Sequence, residues 1–166
     1  MSEIMQKTRK VFSGLDADKT AVTGMFIGDR YFSTDIPAQY HYTGADWVRD
    51  LVFVERLVTG TDFTVANFIT DGNAHPDGLN LASIVPAGAK AVKLLLIIND
   101  DAIGTFLHIY RDAAHGLNTA AVTVYNANVE SRAIQDVAID NDRLMDYITM
   151  NTSIAFIWVV VLGWYI

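Results

Sequence analysis

From Met25 onward, apolar and polar residues alternate in short runs separated by Gly, Pro, Asn and Asp. A period of two in runs of four to ten residues predicts strands. Residues 63–70, 91–98, 104–111, 120–129, 133–139, 143–150 and 153–166 read as strands. Residues 79–90 read as a short strand followed by a turn at Pro86, Ala87 and Gly88. Residues 71–78, DGNAHPDG, read as a polar loop. No helical periodicity persists over three turns, and no fixed-period repeat or low-complexity stretch interrupts the pattern.

Two runs are apolar on both faces. In 91–98, Val92, Leu94, Leu96 and Ile98 share one face, and Leu95 and Ile97 share the other. In the last run, Ile154, Phe156, Trp158, Val160, Leu162, Trp164 and Ile166 lie on one side. Ile157, Val159, Val161 and Tyr165 lie on the opposite side. A strand in a two-layer sandwich normally keeps one face in water. The second apolar face therefore calls for a cover, either another segment of the chain or a neighbouring subunit. A homo-oligomer is expected on this ground, with a trimer as the preferred form.

The stretch GDRYFSTDIPAQYHYTGADWV, residues 28–48, is rich in aromatics but poor in aliphatics. Residues 31–34 and 39–43 read as strands joined by a turn at 35–38, where Pro37 suits a turn position. A second turn at 43–46 leads into a third strand starting at Trp47. Tyr40 and Tyr42 then share a face, and His41 points the other way. Because an isolated hairpin is marginal in water, these aromatics are expected to lie against something else. Residues 1–23 are mixed and polar and read as an arm. The expected fold is all-β. An antiparallel, jelly-roll-like β-sandwich spans 51–166, preceded by an aromatic β-meander at 24–50 and an N-terminal arm at 1–23.

Composition narrows the functional classes. A hydrophobic share of 51% against 19% charged residues fits a folded chain with a real core. The net charge of −7 repels phosphate backbones, so no nucleic-acid partner is expected. The one basic cluster, Lys7, Arg9 and Lys10, reads as solvated. The absence of cysteine excludes disulfides and thiolate zinc sites. The opening MSEIMQKTRK lacks the apolar centre of a signal peptide. The terminal IAFIWVVVLGWYI is shorter than the roughly 20 residues of a membrane helix and has strand composition, so no membrane insertion is expected.

The chain offers little for catalysis. His41, His75, His108 and His115 show no zinc-site spacing. His108 alternates with Phe106 and Tyr110 and reads as a packed side chain, and His75 as part of a turn. The acidic stretches at 71–78, 99–101 and 140–143 carry oxygen ligands but lack the calcium-loop spacing, and Asp and Asn favour turns on local grounds. Ser13, Ser33, Ser83, Ser131 and Ser153 have no nucleophile-elbow context. Nothing selects a pair among Glu3, Glu55, Glu130 and the aspartates for glycoside hydrolysis. No catalytic residue, cofactor or metal is expected.

Residues 28–48 resemble an aromatic motif that recurs in bacteriophage fibre and appendage proteins: a Gly, aromatics, Thr-Asp, a spacer, Tyr, a turn Gly, then Trp. Residues 68–112, FITDGNAHPDGLNLASIVPAGAKAVKLLLIINDDAIGTFLHIYRD, with the closing VVVLGWYI, are similar to a β-sandwich domain at the C-terminal ends of phage and prophage structural proteins. The resemblance implies a non-catalytic virion protein, assembled in the bacterial host cytoplasm, with other virion proteins as partners. The short chain has no repetitive shaft, which favours a decoration, head-fibre or adaptor-like component. On this reading Tyr31, Phe32, Tyr40, Tyr42 and Trp47 dock, and Trp158, Trp164 and Tyr165 form the core or a subunit interface. The alternative is a module that binds host-surface glycans, with Tyr110, Tyr125 and the meander aromatics stacking on sugars.

Overall fold

The alternating runs form sheets whose registers decide which side chains meet. The computed structural model describes residues 11–23, 25, 27, 29–33, 39–58, 60–111, 119–150 and 153–166. The turn expected at 35–38, the basic cluster at 7–10 and His115 lie outside these residues. The chain divides into two units, 1–52 and 53–166.

The first unit is a four-stranded sheet in the order β1 (Val11–Gly14), β2 (Arg30–Ser33), β3 (Gln39–Tyr42) and β4 (Trp47–Asp50). β2, β3 and β4 form the expected antiparallel meander. The segment expected to be an arm or extended lead-in contributes β1, which pairs parallel to β2, followed by a 3-10 helix at Asp16–Ala21. A mixed, polar sequence gave no sign of this strand. Its Phe12 packs on the small core of Tyr31 and Tyr40 with Val22 and Trp47.

The second unit is a β-sandwich. β5 (Phe53–Glu55), β6 (Phe63–Thr64) and a 3-10 helix (Val65–Asn67) lead into β7 (Ala74–Asn80), β8 (Ala91–Asn99) and β9 (Phe106–Tyr110). β10 (Thr119–Thr123), β11 (Ser131–Ala138), β12 (Leu144–Thr149) and β13 (Phe156–Tyr165) complete it. One sheet has the order β11-β8-β13-β5, with β6 also on β13, and the other has β10-β9-β12-β7. All pairings in both sheets are antiparallel. No helix among the described residues is long and apolar enough to cross a membrane.

The core lies between the two sheets. Val92, Leu94, Leu96 and Ile98 of β8 and Ile157, Val159 and Val161 of β13 face Leu107, Ile109, Val122, Met145 and Tyr147 of the other sheet. Burial at about 25 cal/mol per Å² of apolar surface makes this layer the main stabilising term of the unit.

Besides the run expected at 120–129, whose strand ends at Thr123 before a turn, three expectations change. Residues 63–70 are a two-residue strand and a 3-10 turn, not one strand. Residues 74–78, expected to be loop, belong to edge strand β7. There Pro76, Asp77 and Gly78 stand opposite Asp146 alone, and the Asp146 carboxylate closes the bulge by accepting the Asp77 N–H at 2.8 Å. The third change is in β13. Val161 pairs with Leu94 and Gly163 with Lys93, leaving Leu162 as an extra residue. This bulge reverses the alternation. Trp164 and Ile166 therefore pack against the core, while Tyr165 lies on the outer face with Gly163.

Candidate docking surfaces

The outer face of the five-stranded sheet is built by three cross-strand rows. Ile134, Leu95 and Val160 form the middle row. Arg132, Ile97, Trp158 and Thr64 form the row on one side, and Asp136, Lys93, Gly163 and Glu55 the row on the other. Ile97 and Val160 are buried by their neighbours, but Ile134 is 62% exposed and Trp158 43% exposed. This is the second apolar face expected from the sequence of β8 and β13. A recess of about 640 Å³ opens at one side of it, lined by Phe53, Glu55, Arg56, Leu57, Lys93 and Leu162.

Polar contacts brace this face. Arg132 donates to Glu130 at 2.6 Å. Lys93 lies 3.6 Å from Asp136 and 5.0 Å from the Phe53 ring centroid. The Tyr165 hydroxyl donates to Asp136 at 3.0 Å. Between β5 and β6 the chain leaves the sheet, and Asp62 fills the gap. Its carboxylate accepts the Val161 N–H at 2.7 Å and the Arg56 guanidinium at 2.6 Å.

The first unit places Tyr31, Tyr40, Tyr42 and Trp47 on one face, with Tyr40 and Tyr42 together as expected, and Phe32 with Arg30, Gln39, His41 and Asp50 on the other. Tyr31 and Tyr40 are buried in the small core, and the Tyr31 hydroxyl donates to the Leu15 carbonyl at 2.5 Å. They are core residues of this sheet, with Phe12, Val22 and Trp47 packed against them. Phe32 is exposed, while Tyr42 and Trp47 are partly buried with ring centroids 5.5 Å apart. Trp47 Nε1 is buried without a hydrogen-bond partner among the described residues, and the indole lines a recess with Thr20, Met25 and Tyr42. On the opposite face Asp50 accepts from Gln39 at 2.7 Å and Arg30 at 3.3 Å, and lies 2.6 Å from His41 Nδ1. Burial pushes the Asp50 carboxyl up, but the hydrogen bonds of Gln39 and His41 and the charges of His41 and Arg30 outweigh it and hold it below its usual range.

The aromatics named for glycans are apart. Tyr110 lies on the outer face of the four-stranded sheet, where its hydroxyl is 3.2 Å from His108 Nδ1 and Phe106 stacks on the other side of the imidazole. Burial lowers the His108 pKa, as a packed histidine requires. Tyr125 is 74% exposed beyond β10. It shares its end of the sandwich with the loop after β8, because Asn128 N–H donates to the Asp100 carbonyl at 2.7 Å and Gly104 N–H to Val124 at 2.8 Å.

The acidic stretches hold turns. Asp71 accepts the Asn73 N–H and pairs with His75, and Asp100 accepts the Thr105 hydroxyl. No group of three or more potential metal-ligating side chains occurs among the described residues. Comparison with protein-family models, curated proteins and solved structures gave no match.

Proposed function

We propose that this is a non-catalytic assembly protein, of the class of phage virion structural components that its two segments resemble, which packs against further copies of itself through the outer face of the five-stranded sheet. The observation that carries this reading is the exposed Trp158 and Ile134 on a face whose middle row is wholly apolar. Such a patch on a compact domain is a characteristic interaction surface.

The strand order supports the reading. The two orders, β11-β8-β13-β5 and β10-β9-β12-β7, can be matched position by position so that each pair is consecutive along the eight-strand path that leaves out β6. β5 is matched by β7, β13 by β12, β8 by β9 and β11 by β10. We read this as a jelly roll, an architecture shared by viral capsid domains and lectins. Fold alone does not choose between them.

The test is the solution mass of the full chain by light scattering after size exclusion, for the wild type and for Trp158→Glu. A multimer dispersed by the substitution supports the reading, and a monomer unchanged by it contradicts it.

A second reading, a glycan-binding module, has its own observation. Four loops meet at one end of the sandwich, and their tips expose Ile69, Ile103, Tyr125, Val129 and Met150. An exposed Tyr beside Asn126 and Asn128 is suited to stacking on a sugar and hydrogen-bonding its hydroxyls. Glycan-array hits lost on Tyr125→Ala would favour this reading, and hits retained by that variant would remove Tyr125 from it.

A further inference from the structure

The outer face of the five-stranded sheet is complementary to itself. On β11, Arg132 and Asp136 stand two residues to either side of Ile134 and on the same face. On β13, Trp158 and Gly163 stand on either side of Val160 in the rows of Arg132 and Asp136 respectively. The face therefore carries Arg132 and a large ring at one end, Asp136, Lys93 and Glu55 beside the Phe53 ring at the other, and an apolar row between them.

We infer that two copies pack these faces together about a two-fold axis that runs across the strands at the Ile134–Leu95–Val160 row. This rests on the self-assembly reading above and specifies its contact. The rotation lays β8 over β8 and β13 over β13 in opposite directions, an aligned sheet-on-sheet packing. Ile134, Leu95 and Val160 then meet their own equivalents. Arg132 of each copy faces Asp136 of the other. Trp158 of each copy faces the Gly163 row of the other, where the recess between Leu162, Lys93, Phe53 and Leu57 opens. A two-fold contact requires that if one residue touches a second, the second touches the first in return. Arg132 with Asp136, and Trp158 with the Leu162–Gly163 recess, meet this condition.

The occupant is a second copy because this rotation sets Arg132 of each copy opposite Asp136 of the other. Arg132 is already held by Glu130, and Asp136 by Lys93 and Tyr165, so both charged groups are braced in place rather than swinging free. Three of the four sheet edges of the sandwich disfavour strand addition, and the fourth, β11, is eight residues long. β7 carries Pro76 and a bulge, β5 and β6 are only three and two residues long, and Gln135 Oε1 covers the Ala121 N–H on β10. Edges that are short, bulged or covered resist strand addition.

The experiment uses the full chain with Arg132→Asp, Asp136→Arg and the double exchange, each measured by sedimentation over a concentration series. Each single substitution sets like charges opposite each other and is expected to weaken self-association by at least about tenfold. The double exchange restores the pairing and is expected to recover wild-type association. A wild-type chain that is monomeric at micromolar concentration overturns both this contact and the self-assembly reading. A multimer of odd order, such as the trimer expected from the sequence, or one indifferent to the single exchanges, overturns this contact while leaving self-assembly standing. Circular dichroism of each variant separates lost association from lost folding, and a folded double exchange that fails to recover association also overturns the contact.

Discussion

At the scale of single residues, polar side chains here do work that sequence patterning attributes to loops. Asp71 begins a turn by accepting the Asn73 N–H at 2.9 Å, and the His75 imidazole lies 2.9 Å from the same oxygen. The backbone and side-chain hydrogen bonds of Asn73, with that of His75, lower its pKa from 3.8 to about 2. A depressed carboxyl favours the folded state above its unfolded pKa and loses that contribution as pH falls through the folded value. Asp71 is therefore expected to titrate near pH 2 when followed by carboxyl chemical shifts, and its stabilising effect to fade from about pH 4 downward. Asn73→Ala removes the side-chain bond and is expected to move the titration upward. Asp62 is a different case, because it is nearly buried and satisfies two partners. Asp62→Ala strands the Val161 N–H and removes the ion pair of Arg56, whose bond to the Val161 carbonyl at 3.2 Å remains, and a loss of about 1–3 kcal/mol is expected. Faster hydrogen exchange at the Val161 amide is the local readout.

At the scale of elements, close approach matters as much as propensity. A Cβ on Gly163 would lie 2.4 Å from the Val54 carbonyl oxygen and 2.6 Å from the Phe53 ring. Gly163→Ala must push β5 off β13, and a loss of about 1–3 kcal/mol is expected from the shift in denaturant midpoint. The strands legible in the sequence were those with unbroken alternation. Ala91–Asn99 follows the expected faces throughout, with Val92, Leu94, Leu96 and Ile98 in the core. β7 was hidden because an edge strand tolerates Pro76, Gly78 and a positive φ of 54° at Asp77, which read as loop chemistry. Gly78 is there for Tyr147, whose ring would lie 2.3 Å from an added Cβ. β13 was legible as a strand but not in its phase. A bulge leaves no mark in a run where nearly every residue is apolar, so the exchange of faces at Leu162 needed the register. The same ambiguity hid the difference among the candidate residues: Trp158 faces outward while Trp164 packs on the core.

At the scale of the whole molecule, the two units have separate cores. Every buried residue of the large cluster lies between Phe68 and Val161, and the small cluster consists of Tyr31 and Tyr40 with Phe12, Val22 and Trp47 around them. A fragment of residues 53–166 is therefore expected to unfold cooperatively on its own. A fragment of residues 1–52 is expected to show no cooperative transition, since a small sheet with two buried aromatics is marginal. Thermal melts of both fragments check this. The aromatic content of residues 28–48 is thus largely explained within its own sheet, with Phe32 exposed and Trp47 Nε1 buried without a partner among the described residues. The surface that the large unit leaves apolar is the outer face of β11, β8 and β13, and the account turns on what covers it. The most direct measurement is the solution mass of the full chain at micromolar concentration, by light scattering after size exclusion. The account predicts a dimer or a higher even multimer that Trp158→Glu disperses. A wild-type monomer, or a multimer that Trp158→Glu leaves intact, would contradict it.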